Sequence, residues 1–331
     1  MLLTKQRNIY EQQAYNKRLT LFVMFLFILF LSFLGFGFDF FFGVEAETYF
    51  PFGTLAALTI ASVSAIWSLN NGAAAVLGSS GAVPVDENDP RYRQLVNVVE
   101  EMCLASGLPK PKVYVIPDED PNAFATGKDP ASSAIAITTG LLEKLNREEL
   151  QAVVAHEVSH IRNYDIRLMT IIAALVGAIL LLSDWAARLL RFGGKRGGRR
   201  DSKGGGVLPL IVLVLWIVSI VLAPLVSRLL AMAVSRKREY IADASAAELT
   251  RNPLALANAL RKLENATAPT ASIKKGTAHL CIVDPLGKEL NSKEGFVAEL
   301  FGTHPPIEKR VAVLHAMAYQ YQTASAPTPS A

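Results

Sequence analysis

Two histidines and a glutamate carry the first chemical signal of this chain, in the run His156-Glu157-Val158-Ser159-His160. Asn146 followed by Glu149 has the spacing of an N-terminal capping pair, so a helix is expected to begin near Arg147. On that helix His156 and His160 differ by only ~40° about the axis, and Glu157 stands ~100° from His156. Both imidazoles can therefore reach one metal ion while the carboxylate flanks it. In this arrangement the histidines hold zinc and the glutamate is a general base. The alternative is an ordinary helix with two surface histidines. Leu150, Val153, Val154 and Ala155 argue against it, because they make the helix largely buried, where unpaired imidazoles are costly.

A catalytic zinc site takes three protein ligands and keeps a fourth position for water. The run Ser235-Arg-Lys-Arg-Glu239-Tyr-Ile-Ala-Asp243 places two carboxylates four residues apart, on one helix face. Taken alone, such a pair is more often a solvated helix face. Beside the histidine pair, and with Ala242, Ala244, Ala246 and Ala247 making a slender helix, Glu239 is assigned as the third ligand. Asp243 is then the carboxylate that orients a ligating histidine.

These residues need elements to hold them, and composition says where those elements lie. Of 331 residues, 51% are hydrophobic and 19% charged, against about 25% charged in an ordinary soluble domain. The net charge of +4 is too mild and too dispersed for a nucleic-acid binder. Two cysteines, Cys103 and Cys281, cannot build a disulfide framework. No internal repeat is present. The apolar excess sits in four segments, 19–42, 54–77, 166–182 and 207–226, each near the ~20 residues that cross a hydrocarbon core. The first exceeds the roughly 7–15 residue apolar core of a cleaved signal and lacks a convincing cleavage site.

Lys5, Arg7, Lys17 and Arg18 precede the first segment, whereas the loop after it carries only Glu45 and Glu47. The N-terminus and the catalytic residues are accordingly expected in the cytoplasm of a multi-pass protein of the cell membrane. The basic, Gly-rich loop 193–206 runs against this topology; either the later charges carry less weight, or segments three and four form a hairpin lying on or partly in the membrane. The expected organisation is an N-terminal arm with two spans (1–78), a first catalytic part (79–165), an apolar hairpin (166–234), a second catalytic part (235–321) and a disordered tail (322–331).

Four motifs occur in order: NAFATG (Asn122 to Gly127), HEVSHIRNYD, SRKREYIADASAAEL and THPPIEKR (Thr303 to Arg310). With two leading spans and an apolar hairpin, they make the chain resemble the HtpX family of membrane-bound zinc metalloproteases, relatives of the CAAX prenyl proteases. The resemblance runs from about residue 10 to 318. It implies an α+β fold: a multi-pass helical membrane protein with a mainly helical gluzincin-type domain carrying a small β-sheet. It also implies one Zn2+ per chain, Glu239 as a ligand, and proteolytic quality control of misfolded or damaged membrane proteins under stress. Partners would be the lipid bilayer, polypeptide substrates, and further copies of the chain or other quality-control membrane proteins. The loop 193–206 is longer than usual for the family, and Gly302 stands where a serine is frequent; neither touches the ligands.

Lys112 to Ile116 and Ala134 to Thr138 read as short strands. Between them, Asn122, Ala123, Phe124, Ala125 and Thr126 read as an exposed edge strand or as a plain turn; the family suggests a strand that receives substrate, where a peptide can add through backbone hydrogen bonds. The resemblance also sets His304 near the zinc, as an oxyanion donor or as a structural histidine, with Arg310 supporting it. Asn163 and Asp165 read as caps or as residues behind the ligands, and His279 and His315 receive no role. The expected reaction is peptide hydrolysis in which Glu157 takes a proton from the attacking water and passes it to the leaving amine. Two alternatives remain: a CAAX-type prenyl-peptide protease, which by family resemblance has about seven spans where this chain offers at most four, and a zinc-holding membrane chaperone or scaffold, which would normally close its site with four ligands including cysteines.

Overall fold

Long apolar runs become long helices, and two of them lead the chain. In a computed structural model that describes residues 9–42, 50–176, 236–266, 272, 280–283 and 304–325, α1 (Ile9–Phe42) and α2 (Phe52–Ser79) form an antiparallel pair. Both are long and apolar enough to cross a membrane. Phe22, Phe25 and Leu29 on α1 and Ile60, Val63 and Trp67 on α2 stand exposed, the side chains a lipid phase would cover. The helices cross closely at Gly35, where any Cβ would collide with the Gly53 carbonyl. Small residues permit such backbone contact between membrane helices. Asp39 then caps α2, accepting from Gly53 N and Thr54 N at 2.6 Å each.

The catalytic layer begins with β1 (Val83–Pro84), α3 (Arg93–Ser106) and β2 (Lys112–Ile116), followed by β3 (Ala123–Thr126), β4 (Ala134–Thr138) and α4 (Thr139–Lys144). After these come α5 (Arg147–Arg162), α6 (Arg236–Thr250), α7 (Pro253–Glu264) and α8 (Ile307–Ser325). The four strands form one mixed sheet in the order β1-β2-β4-β3, with β2 parallel to β4 and the other pairs antiparallel.

Alternation along the strands gives the sheet two buried faces. Val113, Val115, Ala123, Ala125, Ile135 and Ile137 join the core beneath α3, α5, α6, α7 and α8. Ile116, Phe124, Ala134 and Ala136 face a second cluster containing Phe27 of α1, Ala65 of α2 and Leu168. The sheet is thus a partition between helices α3 and α5 to α8 on one face and the apolar layer on the other.

This sandwich corrects one expectation. β3 is the edge strand by hydrogen bonding, but every one of its side chains is buried rather than exposed. Its outward backbone is partly occupied among the described residues, Ala123 O accepting from Ile282 N at 3.0 Å. Gly127 ends the strand at φ +146°, a backbone conformation that favours glycine, and a Cβ there would press on Ser133.

The third apolar segment opens as a helical run over 165–176, buried against α2 and the sheet. Its remainder, the loop 193–206 and the fourth segment lie outside the described residues. α8 continues to Ser325, four residues into the stretch whose composition suggested disorder, because helical turns that begin on buried Ile307, Val311 and Leu314 extend past it.

Candidate metal and peptidase centre

The helix that carries His156, Glu157 and His160 is anchored at its start. Asn146 Oδ1 accepts from Glu149 N at 2.9 Å and Glu149 Oε2 accepts from Asn146 N at 2.9 Å, the reciprocal pair that the spacing predicts. From Glu149 to Ile161 every residue of α5 except Gln151 is buried. α6 packs closely against it through Ala242, Ala246 and Ala247, all fully buried.

That approach brings three functional side chains together. Nε2 of His156 and Nε2 of His160 face each other at 3.2 Å. Glu239 Oε2 lies 3.7 Å from the first and Oε1 lies 3.6 Å from the second. In a tetrahedral site with Zn–N bonds of ~2.0–2.1 Å, ligand atoms stand roughly 3.3–3.4 Å apart. The donor set and its spacing therefore fit one such ion. Oε2 of Glu239 is buried and makes no hydrogen bond among the described residues, which leaves it available to an ion.

The distal ring nitrogens are held by carboxylates. Asp243 Oδ1 lies 3.0 Å from His156 Nδ1, and Asp165 Oδ2 lies 3.2 Å from His160 Nδ1. Such partners fix which nitrogen faces a metal and raise its basicity. Behind Asp243, the fully buried Arg310 donates through Nε at 2.8 Å and through NH2 at 2.7 Å. The guanidinium also donates to Ile282 O at 3.0 Å and stands 3.4 Å from Glu239 Oε2. Arg310 therefore serves the Asp243–Glu239 pair, and it shares with His304 the neighbour Glu239 Oε2.

Charge in this dry cluster is strongly organised. Burial alone would raise the Glu239 and Asp243 carboxyls; His304 and His156 hold Glu239 well below the usual range, and Arg310 does the same for Asp243. Burial depresses the His156 imidazole, but Asp243 and Glu239 outweigh it and lift its pKa to about 9. For Glu157 burial wins: its pKa is raised, although both histidines pull it back. Neither Glu157 oxygen has a hydrogen-bond partner among the described residues. The N–H of Ala125 faces this carboxylate and draws its proton affinity down without reaching hydrogen-bond geometry.

His304 sits beside the cluster, its Nδ1 3.3 Å from Glu239 Oε2, with Nε2 buried and unpartnered. Along β3, Asn122 O accepts from Thr138 N at 3.0 Å, so Asn122, Phe124 and Thr126 turn their backbones to β4, while Ala123 and Ala125 turn theirs outward. Ala123 O is taken by Ile282 N at 3.0 Å, and Asn122 Nδ2 donates to Val283 O at 3.1 Å. The Ile282 segment was not foreseen; no local spacing ties it to residue 123.

Fold and site together define the class: a helical metallopeptidase of the HExxH type, with an edge strand passing its glutamate. Comparison with known proteins agrees. The model of peptidase family M48 matches residues 90–318. A protease HtpX homolog from Caldanaerobacter subterraneus subsp. tengcongensis is 42% identical over 315 residues, covering 94% of this chain and 99% of that protein. One from Thermoanaerobacter pseudethanolicus is 40% identical with the same coverage. The solved structure of S. mikatae Ste24p superposes with a TM-score of 0.47 at 20% identity, over 78% of this chain and 57% of that one.

The chain belongs to peptidase family M48 and is a membrane-bound metalloprotease.

Proposed function

We propose that this protein is a multi-pass, HtpX-like zinc endopeptidase of the cell membrane, with its N-terminus and catalytic layer in the cytoplasm, that cuts misfolded or damaged membrane proteins. The observation that carries the chemistry is the 3.2 Å approach of His156 Nε2 and His160 Nε2, with Glu239 closing the set and Glu157 unpartnered alongside. His156, His160 and Glu239 would hold the zinc, which supplies Lewis acidity to the scissile carbonyl and to the attacking water.

The protein's own groups do the rest. A substrate strand lies along the outward backbone of β3 and meets the N–H of Ala125, which places its scissile bond beside Glu157. Glu157 takes the proton from water at its carboxylate and delivers it to the leaving nitrogen. Burial raises its proton affinity and so suits it to hold that proton between the two transfers. The unpartnered Nε2 of His304 donates to the oxyanion as it develops on the substrate. Asp243 and Asp165 keep both imidazoles oriented.

The substrate class follows from position. The sheet that carries the edge strand has its other face on the layer formed with α1 and α2, which supports a site set close to a membrane. The test is incubation of detergent-purified full-length protein with an unfolded membrane protein, with zinc and with a chelator. Zinc-dependent fragments are expected; intact substrate under both conditions would support a scaffold instead.

A further inference from the structure

The first membrane helix reaches the zinc ligands. Asn16 of α1 is fully buried, and an Asn side chain at such a site must satisfy its amide or cost stability. Both amide hydrogens are used: Nδ2 donates to Asn163 O at 2.9 Å and to Asp165 Oδ1 at 2.7 Å. Its carbonyl oxygen accepts from Gln12 Nε2 at 3.4 Å. The other oxygen of Asp165 is the one that meets His160 Nδ1 at 3.2 Å. Arg238, next to Glu239, stands 3.4 Å from Asp165 Oδ1.

The turn between α5 and the run 165–176 is shaped for this contact. Tyr164 has φ +58°, an uncommon value for a residue with a side chain. Beside it, Arg162 O accepts from Gln13 Nε2 at 2.8 Å, and Lys17 Nζ lies 4.1 Å from the Tyr164 ring centre. Three side chains of α1 thus converge on the end of the HExxH helix, and one of them fixes the carboxylate behind a histidine.

We infer that Asn16, on the first membrane helix, is a positioning residue for His160, acting through the juxtaposition Asn16–Asp165–His160, so that docking of the anchor helix sets the geometry of the metal site. The inference rests on the zinc site proposed above. Removing Asn16 takes away the one hydrogen-bond donor to Asp165 Oδ1 among the described residues, so the carboxylate that fixes the tautomer and ring plane of His160 is held less firmly.

The experiment uses full-length protein in detergent with Asn16→Ala, Asn16→Ser and Gln13→Ala. Gln13 makes a comparable bond to the same turn but does not touch Asp165, which isolates positioning from helix capping. Zinc affinity is read by competition with a chromophoric chelator, ligand geometry by the visible spectrum of the Co2+-substituted protein, and folding by Tm. Asn16→Ala should weaken zinc by about tenfold, the lower end for residues behind a ligand, and alter the Co2+ spectrum. Gln13→Ala should lower Tm while holding zinc affinity within about twofold, as expected for a surface-turn capping bond. Should Asn16→Ala not fold, Asn16→Ser, which retains a single donor, carries the same expectation. Unchanged affinity and spectrum in a folded Asn16 variant overturn the inference, and so does equal weakening by Gln13→Ala. A wild-type chain that binds no stoichiometric zinc refutes the metal site itself, a separate outcome.

Discussion

The Arg310 guanidinium clasps the Asp243 carboxylate with two hydrogen bonds, of 2.8 and 2.7 Å, in a region where both side chains are buried. Through Asp243 this pair touches His156, through its own flank it approaches Glu239, and through Ile282 O it holds the segment paired with β3. One arginine on α8 therefore ties the His156, His160 and Glu239 cluster to the edge strand β3.

Replacing Arg310 by methionine would keep volume but leave two buried carboxylates without their cation. Breaking one side of a buried pair typically costs about 3–5 kcal/mol. Thermal unfolding of the metal-free variant in detergent should show a loss of that order; an unchanged Tm would remove Arg310 from this role. Lysine should not rescue it, because a point charge cannot reproduce the planar two-bond fork.

Glu239→Ala should abolish stable zinc binding, weakening it by more than the roughly 10–100-fold seen for residues behind a ligand. Elemental analysis after dialysis reads the result directly. Full zinc occupancy in that variant would transfer the third position to another residue.

Ala125→Pro removes the outward N–H of the edge strand. That N–H faces Glu157 rather than β4, so the substitution leaves the hydrogen bonds of the ladder in place. Loss of one backbone hydrogen bond to substrate, about 1 kcal/mol net, should lower kcat/KM by about fivefold to tenfold with zinc content unchanged. Peptide assays at fixed metal content check this, and wild-type efficiency would argue for another substrate path.

Cys103 lies in the core of α3, and burial pushes its thiol up to about 11. Its folded pKa exceeds the unfolded value of about 8.5, so its contribution to stability is whole below that pH and is lost as pH rises toward about 11. Iodoacetamide labelling read by mass spectrometry should leave Cys103 unmodified at pH 8.5 in folded protein and modify it after unfolding. Labelling at the rate of a free thiol would contradict its burial.

Local spacing is what the sequence makes legible. The capping pair Asn146 and Glu149, the strands Lys112–Ile116 and Ala134–Thr138, and the two leading apolar helices all follow from patterns contiguous in the chain. The approach of Glu239 to His156 spans more than the length of a domain-sized insertion, yet small residues on α6 and an open coordination position made it readable. Contacts without any local signature were not. Asn16 meets Asp165 across 149 positions, and Ile282 meets Ala123 with no repeating pattern on either side. The burial of β3 was missed for a related reason: Ala123 to Thr126 alternate between two apolar layers, and the second layer comes from the membrane helices rather than from the catalytic part.

The central claim is that Glu157 moves the proton while His156, His160 and Glu239 hold the metal. The most direct measurement is zinc content and substrate cleavage on the same preparation of Glu157→Gln. Glu157→Gln should hold one zinc per chain, as in wild type, with cleavage reduced by about 10²–10⁴-fold or more. Wild-type cleavage at full zinc occupancy, or loss of zinc together with activity, would contradict it.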